Sequence, residues 1–175
     1  MDWRDIPSEF RFLLDEIQKT DPQAIIAGGS LRDWFHGHTP KDIDIFVTAN
    51  FDVESIPQLE IKKEQIEHSG DLDETILDSV QYDGYSKPIN IITCSEKWPP
   101  DKQVDKFDFG LCKISWDGQN IFEHSEFLWD VKHHLFTLRR PSAPCMIFKS
   151  IERYKRLRDK YPFPLMIPHD LTILE

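Results

Sequence analysis

The sequence is poor in cysteine, glycine and positive charge. Its three cysteines, Cys94, Cys112 and Cys145, are an odd number, widely spaced and without a Cys-x-x-Cys pair. They indicate neither a disulfide framework nor a zinc finger, and a reducing cytosol is the simplest setting. Lysine and arginine number 21 against 31 acidic residues, a net charge of −10 over 175 residues. A protein that coats nucleic acid needs the opposite balance, so no strong nucleic-acid-coating surface is expected. Long apolar runs are absent as well. The most compact is Ala24-Ile25-Ile26-Ala27, far short of the roughly 20 residues that span a bilayer. No membrane partner is expected. The charged start, Met1-Asp2-Trp3-Arg4-Asp5, predicts no secretory leader and a cytoplasmic protein. Twelve prolines rule out a coiled coil or a long helical rod.

What remains is enough for a core, with 39% hydrophobic and 30% charged residues. Phe10, Leu13, Leu14 and Ile17 fall at helical spacing and predict an amphipathic helix over 7–19. A short strand over 24–27 runs into Gly28-Gly29, and a short helix then ends at Gly37. Asp42-Ile43-Asp44-Ile45-Phe46-Val47 alternates acid with apolar residues before turning fully apolar, a strand with one carboxylate face. The pattern further predicts a helix over 54–68, a solvent-edge strand over 76–82, a strand over 88–93 and a short helix over 99–106. An alternating strand over 110–116 follows, with a hairpin turn at Asp117-Gly118. The clearest helix spans 144–161. Lys149, Arg153, Arg156 and Lys160 form its solvated basic stripe, while the 3.6-residue period places Arg158 on its apolar face, reaching inward. The fold class expected is α+β.

The chemistry concentrates in Ala27-Gly28-Gly29-Ser30-Leu31-Arg32-Asp33 and in Asp42-Ile43-Asp44. Two glycines at a strand-to-helix turn let the backbone come close to a ligand, and N–H groups at a helix start favour an anion such as phosphate. Ser30 adds a hydroxyl donor and Arg32 a partner for phosphate oxygens. Asp33 either binds nucleotide or orients Arg32. Side chains of a strand repeat every two residues, so Asp42 and Asp44 share a face. Paired carboxylates bind hard cations such as Mg²⁺ or Mn²⁺, which bridge to phosphates.

The GG-x-x-R-D … D-x-D pattern resembles the signature of the DNA polymerase β-like nucleotidyltransferase superfamily, nearest to the catalytic head of poly(A) polymerase and class II CCA-adding enzymes. The resemblance implies a mixed sheet flanked by helices with a C-terminal helical cap. It divides the chain into a catalytic domain over 1–138 and a C-terminal helix and irregular tail, 139–175, packed on the same domain. It implies Mg²⁺-dependent transfer of a nucleoside monophosphate from a nucleoside triphosphate such as ATP to a hydroxyl, with release of pyrophosphate. The acceptor, whether RNA, protein or small molecule, is left open. Gly28, Gly29, Ser30, Arg32 and Asp33 would bind nucleotide, and Asp42 and Asp44 the metal; Arg158, by its inward place in the helical period rather than by the resemblance, either joins the nucleotide contacts or forms a buried ion pair.

Phe107-Asp108-Phe109-Gly110 is similar to a second element of that family, of which Asp108 and Phe109 carry over. The superfamily often places a third carboxylate on a later core strand, where this sequence offers Asn90. Either Asp108 fills that role as third acid, or two carboxylates suffice, or activity is lost. The alternatives are a nucleotide-binding or regulatory protein that keeps the fold without turnover, and a toxin- or antitoxin-type partner protein.

Overall fold

The computed structural model describes residues 2–56, 59–61, 75–139 and 144–168. They fall into two compact units, one from Met1–Val104 and Ile114–Phe122, the other from Asp105–Lys113 and Glu123–Glu175.

The first unit begins with α1 (Ser8–Gln18), entered through Pro7. Phe10, Leu13, Leu14 and Ile17 are all buried, as the apolar stripe requires. Gln18 then ties the helix end down, its Nε2 donating to the carbonyls of Ala24 (2.8 Å) and Asp117 (2.7 Å). The buried carboxylate of Asp21 accepts the N–H of Thr48 at 2.6 Å.

These contacts frame a seven-stranded sheet. Its strands are β1 (Ile25–Ala27), β2 (Ile43–Val47), β3 (Glu60–Ile61), β4 (Ile76–Asp83), β5 (Ile89–Cys94), β6 (Ile114–Trp116) and β7 (Ile121–Glu123). Their spatial order is β3-β4-β5-β2-β1-β6-β7. β2 and β5 run parallel at the centre, and β1 is antiparallel to both β2 and β6. The central strands are almost wholly buried, which is why Ile43 to Val47 and Ile89 to Cys94 are near-continuous apolar runs. Asp44 and Asn90, side by side in these runs, are therefore residues that need a reason. Two short helices also belong to the described residues of this unit: α2 (Gly29–Phe35), between β1 and β2, and α3 (Pro100–Gln103).

The second unit is built on α4 (Ser125–His133), α5 (Pro144–Leu157) and a parallel two-stranded pair, β8 (Phe136–Thr137) with β9 (Leu165–Met166). Phe136 is its hub, with ring centroids 5.5 Å from Phe109, 5.6 Å from Tyr154 and 5.9 Å from Tyr161. Asp130 is fully buried and accepts from the N–H of Leu111 (2.8 Å), the N–H of Thr137 (3.0 Å) and the Thr137 hydroxyl (2.5 Å). A Cβ added at Gly110 would lie 2.7 Å from Asp130 Oδ2, so the glycine makes room for that carboxylate.

The mixed α+β class holds, and several elements differ from expectation. Of the helix predicted over 54–68, residues 57–58 and 62–68 lie outside the described residues. Val53–Ser55 is a 3-10 turn and Glu60–Ile61 a strand. β4 is not an edge strand, because β3 pairs with its outer side. Gly110–Cys112 forms a 3-10 turn and only Ile114–Trp116 is strand, since Asp130 draws the Leu111 N–H inward. α4 was not expected at all.

Candidate nucleotide-binding site

β1 and β2 pair with Ile25 opposite Phe46 and Ile26 opposite Ile45. Continued by two residues, that antiparallel register brings the Gly28 turn to the end of β2 where Asp42 and Asp44 stand. The two halves of the sequence motif thus meet because adjacent central strands run antiparallel.

Gly28 has φ 85° and ψ −128°, a conformation only glycine adopts without strain. Its N–H donates to the Ile114 carbonyl at 2.9 Å. Gly29 is different. Its φ lies outside the left-handed region, and a Cβ there would sit an ordinary 3.6 Å from Arg32 Nη2. Neither its backbone nor packing among the described residues demands glycine at 29. Ser30 is buried, and its Oγ has no hydrogen-bond partner among the described residues. A buried orphan hydroxyl costs about 1–3 kcal/mol.

Arg32 and Asp33 are both buried, at 4% exposure each. Arg32 Nη2 and Nε donate to the same oxygen, Asp33 Oδ1, at 2.8 and 3.1 Å. Consecutive helix residues do not ordinarily face each other, so the guanidinium folds back along the helix to reach its neighbour. Of the two roles expected for Asp33, orienting Arg32 is the contact present.

Asp42 immediately precedes β2, Asp44 lies within it, and both are half-buried. Asp44 faces Asn90 in the β2–β5 register, and Asn90 faces Gln81 in the β5–β4 register. Asn90 Nδ2 donates to Asp44 Oδ1 at 2.8 Å, and Gln81 Nε2 donates to Asn90 Oδ1 at 2.9 Å. Gln81 escapes sequence reasoning because register is set by pairing across the sheet and leaves no local mark.

Asp108 belongs to the second unit. Its Oδ1 pairs with Arg153 Nη1 at 2.9 Å, and its carbonyl accepts the Arg139 N–H at 2.6 Å. Arg153 therefore does not belong to a purely solvated stripe. Arg158 does not reach inward as expected. α5 ends at Leu157, and Arg158 is exposed on the turn that follows. A charged cluster that the sequence did not announce lies in the same unit. Glu126 meets the buried Lys113 Nζ at 2.5 Å and Arg139 Nε at 3.1 Å. Burial pushes the Glu126 carboxyl up, but Lys113, Arg139 and His124 outweigh it and hold it below the usual range.

Among the described residues, no three His, Cys, Asp or Glu side chains group as a metal cage. The donor set of the first unit, two hard carboxylates, still fits Mg²⁺, which is commonly held by one or two carboxylates and completed by substrate phosphates and water.

A family model described as "Gabija anti-defense 2 family protein" matches residues 6–134. The chain belongs to the Gabija anti-defense 2 family. No curated protein matches this family member. Solved structures match it at low identity. A CCA-adding enzyme in complex with ATP superposes with a TM-score of 0.65 at 16% identity, covering 95% of this chain and 40% of that one. A tRNA-processing enzyme in an apo form gives 0.64 at 16%, covering 92% and 45%. The Thermotoga maritima CCA-adding enzyme complexed with tRNA gives 0.62 at 16%, covering 95% and 40%. This member of the anti-defense family thus has the polymerase β-like nucleotidyltransferase fold, and spans less than half the length of the structures it matches. No helix among its described residues is long and apolar enough to cross a membrane.

Proposed function

We propose that this chain is a cytoplasmic nucleotidyltransferase. It would move a nucleoside monophosphate from a nucleoside triphosphate to a hydroxyl on an RNA, a protein or a small molecule. The acceptor oxygen bonds to the α-phosphorus and its proton leaves. The bond from that phosphorus to the bridging oxygen breaks, and pyrophosphate departs. The family description, anti-defense, supports an acceptor that belongs to the defence it names.

The observation that carries the proposal is the pairing of the orphan Ser30 hydroxyl with a Gly29 that the protein itself does not need. Both are explained by a ligand that fills the space above Gly29 and accepts from Ser30. The position of that turn, at the carboxylate end of β2, makes a phosphate chain bridged to a cation the ligand of choice. Gly28, Gly29 and Ser30 would cradle the phosphates. Arg32, fixed by Asp33, would oppose the charge that builds on them. Asp42 and Asp44 would hold Mg²⁺ or Mn²⁺, which supplies charge neutralisation and activates the attacking hydroxyl.

The direct test is label transfer from each of four radiolabelled ribonucleoside triphosphates, with Mg²⁺ or Mn²⁺ and with cell RNA or protein as acceptors. An Asp42→Ala, Asp44→Ala double variant runs alongside. Label incorporation that the double variant abolishes is the expected result. A second reading, stoichiometric nucleotide binding without turnover, is favoured by the amide that stands opposite Asp44. It predicts triphosphate binding with no pyrophosphate released.

A further inference from the structure

The contacts from Asp44 to Asn90 to Gln81 have a direction. An ionised carboxylate only accepts hydrogen bonds. Asn90 must therefore turn its NH₂ to Asp44 Oδ1, 2.8 Å away. That places Asn90 Oδ1 toward β4, where only a donor can meet it, and Gln81 Nε2 does so at 2.9 Å. Asn90 is 8% exposed, so water does not readily substitute for either partner. The three residues are successive neighbours across β2, β5 and β4, and the sheet itself sets their spacing. A carboxylate at position 90 would instead bring a second negative charge to Asp44, and like charges at such a distance cannot both ionise unless a cation lies between them. Asparagine orients Asp44 with no cation, and offers only a neutral face where an additional cation would need a charged ligand.

We infer that Asn90 and Gln81 are positioning residues that preset Asp44 and limit the carboxylate face to one divalent cation per bound nucleotide. The inference rests on the nucleotide-and-metal reading proposed above and adds the number of cations and the residues that set it. Partners of this kind, which orient a ligand without touching the metal, typically change metal affinity by about 10–100-fold when altered.

The test is equilibrium binding of Mn²⁺ to the full chain with a non-hydrolysable ATP analogue, bound Mn²⁺ and bound nucleotide being counted separately. The wild type is expected to hold one Mn²⁺ per bound nucleotide. Asn90→Asp is expected to hold a second. Gln81→Glu has the size of glutamine but no N–H to donate, and is expected to weaken Mn²⁺ binding by about 10-fold or more with the thermal transition retained. Two Mn²⁺ per nucleotide in the wild type, or wild-type binding by Gln81→Glu, would overturn the inference and leave the nucleotidyltransferase reading standing. No nucleotide-dependent Mn²⁺ binding to the wild type would overturn that reading and the inference together. Gln81→Glu keeps the question open to refutation even if Asn90→Asp fails to fold.

Discussion

Arg32 and Asp33 are consecutive in sequence, and each is the other's buried counter-charge, with two guanidinium N–H groups meeting one carboxylate oxygen. Removing one partner of a buried pair costs far more than the pair itself contributes, about 3–5 kcal/mol. Asp33→Ala is therefore expected to lower unfolding stability by about that amount, and Arg32→Met with Asp33→Leu to recover most of it. Urea unfolding of the single and double variants checks this. A double variant no more stable than Asp33→Ala would refute it.

Gly28 and Gly29 are adjacent and are expected to respond in opposite ways. Gly28→Ala forces a side chain into φ 85° and should cost about 1–3 kcal/mol of stability. Gly29→Ala meets only ordinary contact, so stability should stay within about 0.5 kcal/mol while triphosphate binding falls. Thermal unfolding with and without ATP separates the two. Gly29→Ala that retains full stabilisation by ATP would remove the main support for the phosphate cradle.

Asp130 carries a pH dependence whose sign follows from its burial. Burial is the largest influence and holds its pKa above 3.8 in spite of three donated hydrogen bonds. A carboxyl whose pKa rises on folding stabilises fully below its unfolded value, and that contribution is lost as pH climbs through the folded value. Asp130→Asn can keep accepting both backbone N–H groups through its one oxygen and meet Thr137 Oγ1 through its NH₂. It should fold, and should gain on the wild type as pH rises from 3.8 through the raised value. Asp130→Ala strands two buried N–H donors and should cost about 3–5 kcal/mol. Stability curves of the three proteins across that window test both statements, and parallel curves for wild type and Asp130→Asn would contradict the first.

Cys94 is buried in β5, and that burial, with Asp21 nearby, pushes its thiol up to about 12. It should not react with a thiol reagent at pH 8 in the native state. Cys94→Ala should leave the count of reactive thiols in native protein unchanged and lower it by one in urea. A drop in the native count would show that β5 opens.

Whatever depends on short-range spacing was legible in the sequence: the stripe of α1, the turn at Gly28, and the alternation that puts Asp42 and Asp44 on one face. What depends on partners far along the chain was not. Nothing near Gln81 or Asn90 marks their register with Asp44. The period-two pattern at 110–116 reads as strand until Asp130, a residue from another element, claims the Leu111 N–H. α4 is masked for a local reason, because it leaves Leu128 and Trp129 about half exposed and is capped by His124, an uncommon N-cap. Helical periodicity puts Arg158 on the apolar face only if the helix continues, and it ends one residue earlier, at Leu157.

The hairpin of β6 and β7 belongs almost wholly to the first unit, yet its residues are flanked in the chain by two segments of the second. Ile114 of that hairpin holds the Gly28 N–H, and Ser115 and Trp116 pair with β1. A fragment ending at Val104 would keep every residue of the GG-x-x-R-D and D-x-D pattern and still lose the strand against which the glycine turn is set. The motif is thus contiguous to read but not to excise, and no single cut yields a minimal module that keeps both the motif and the strand supporting it.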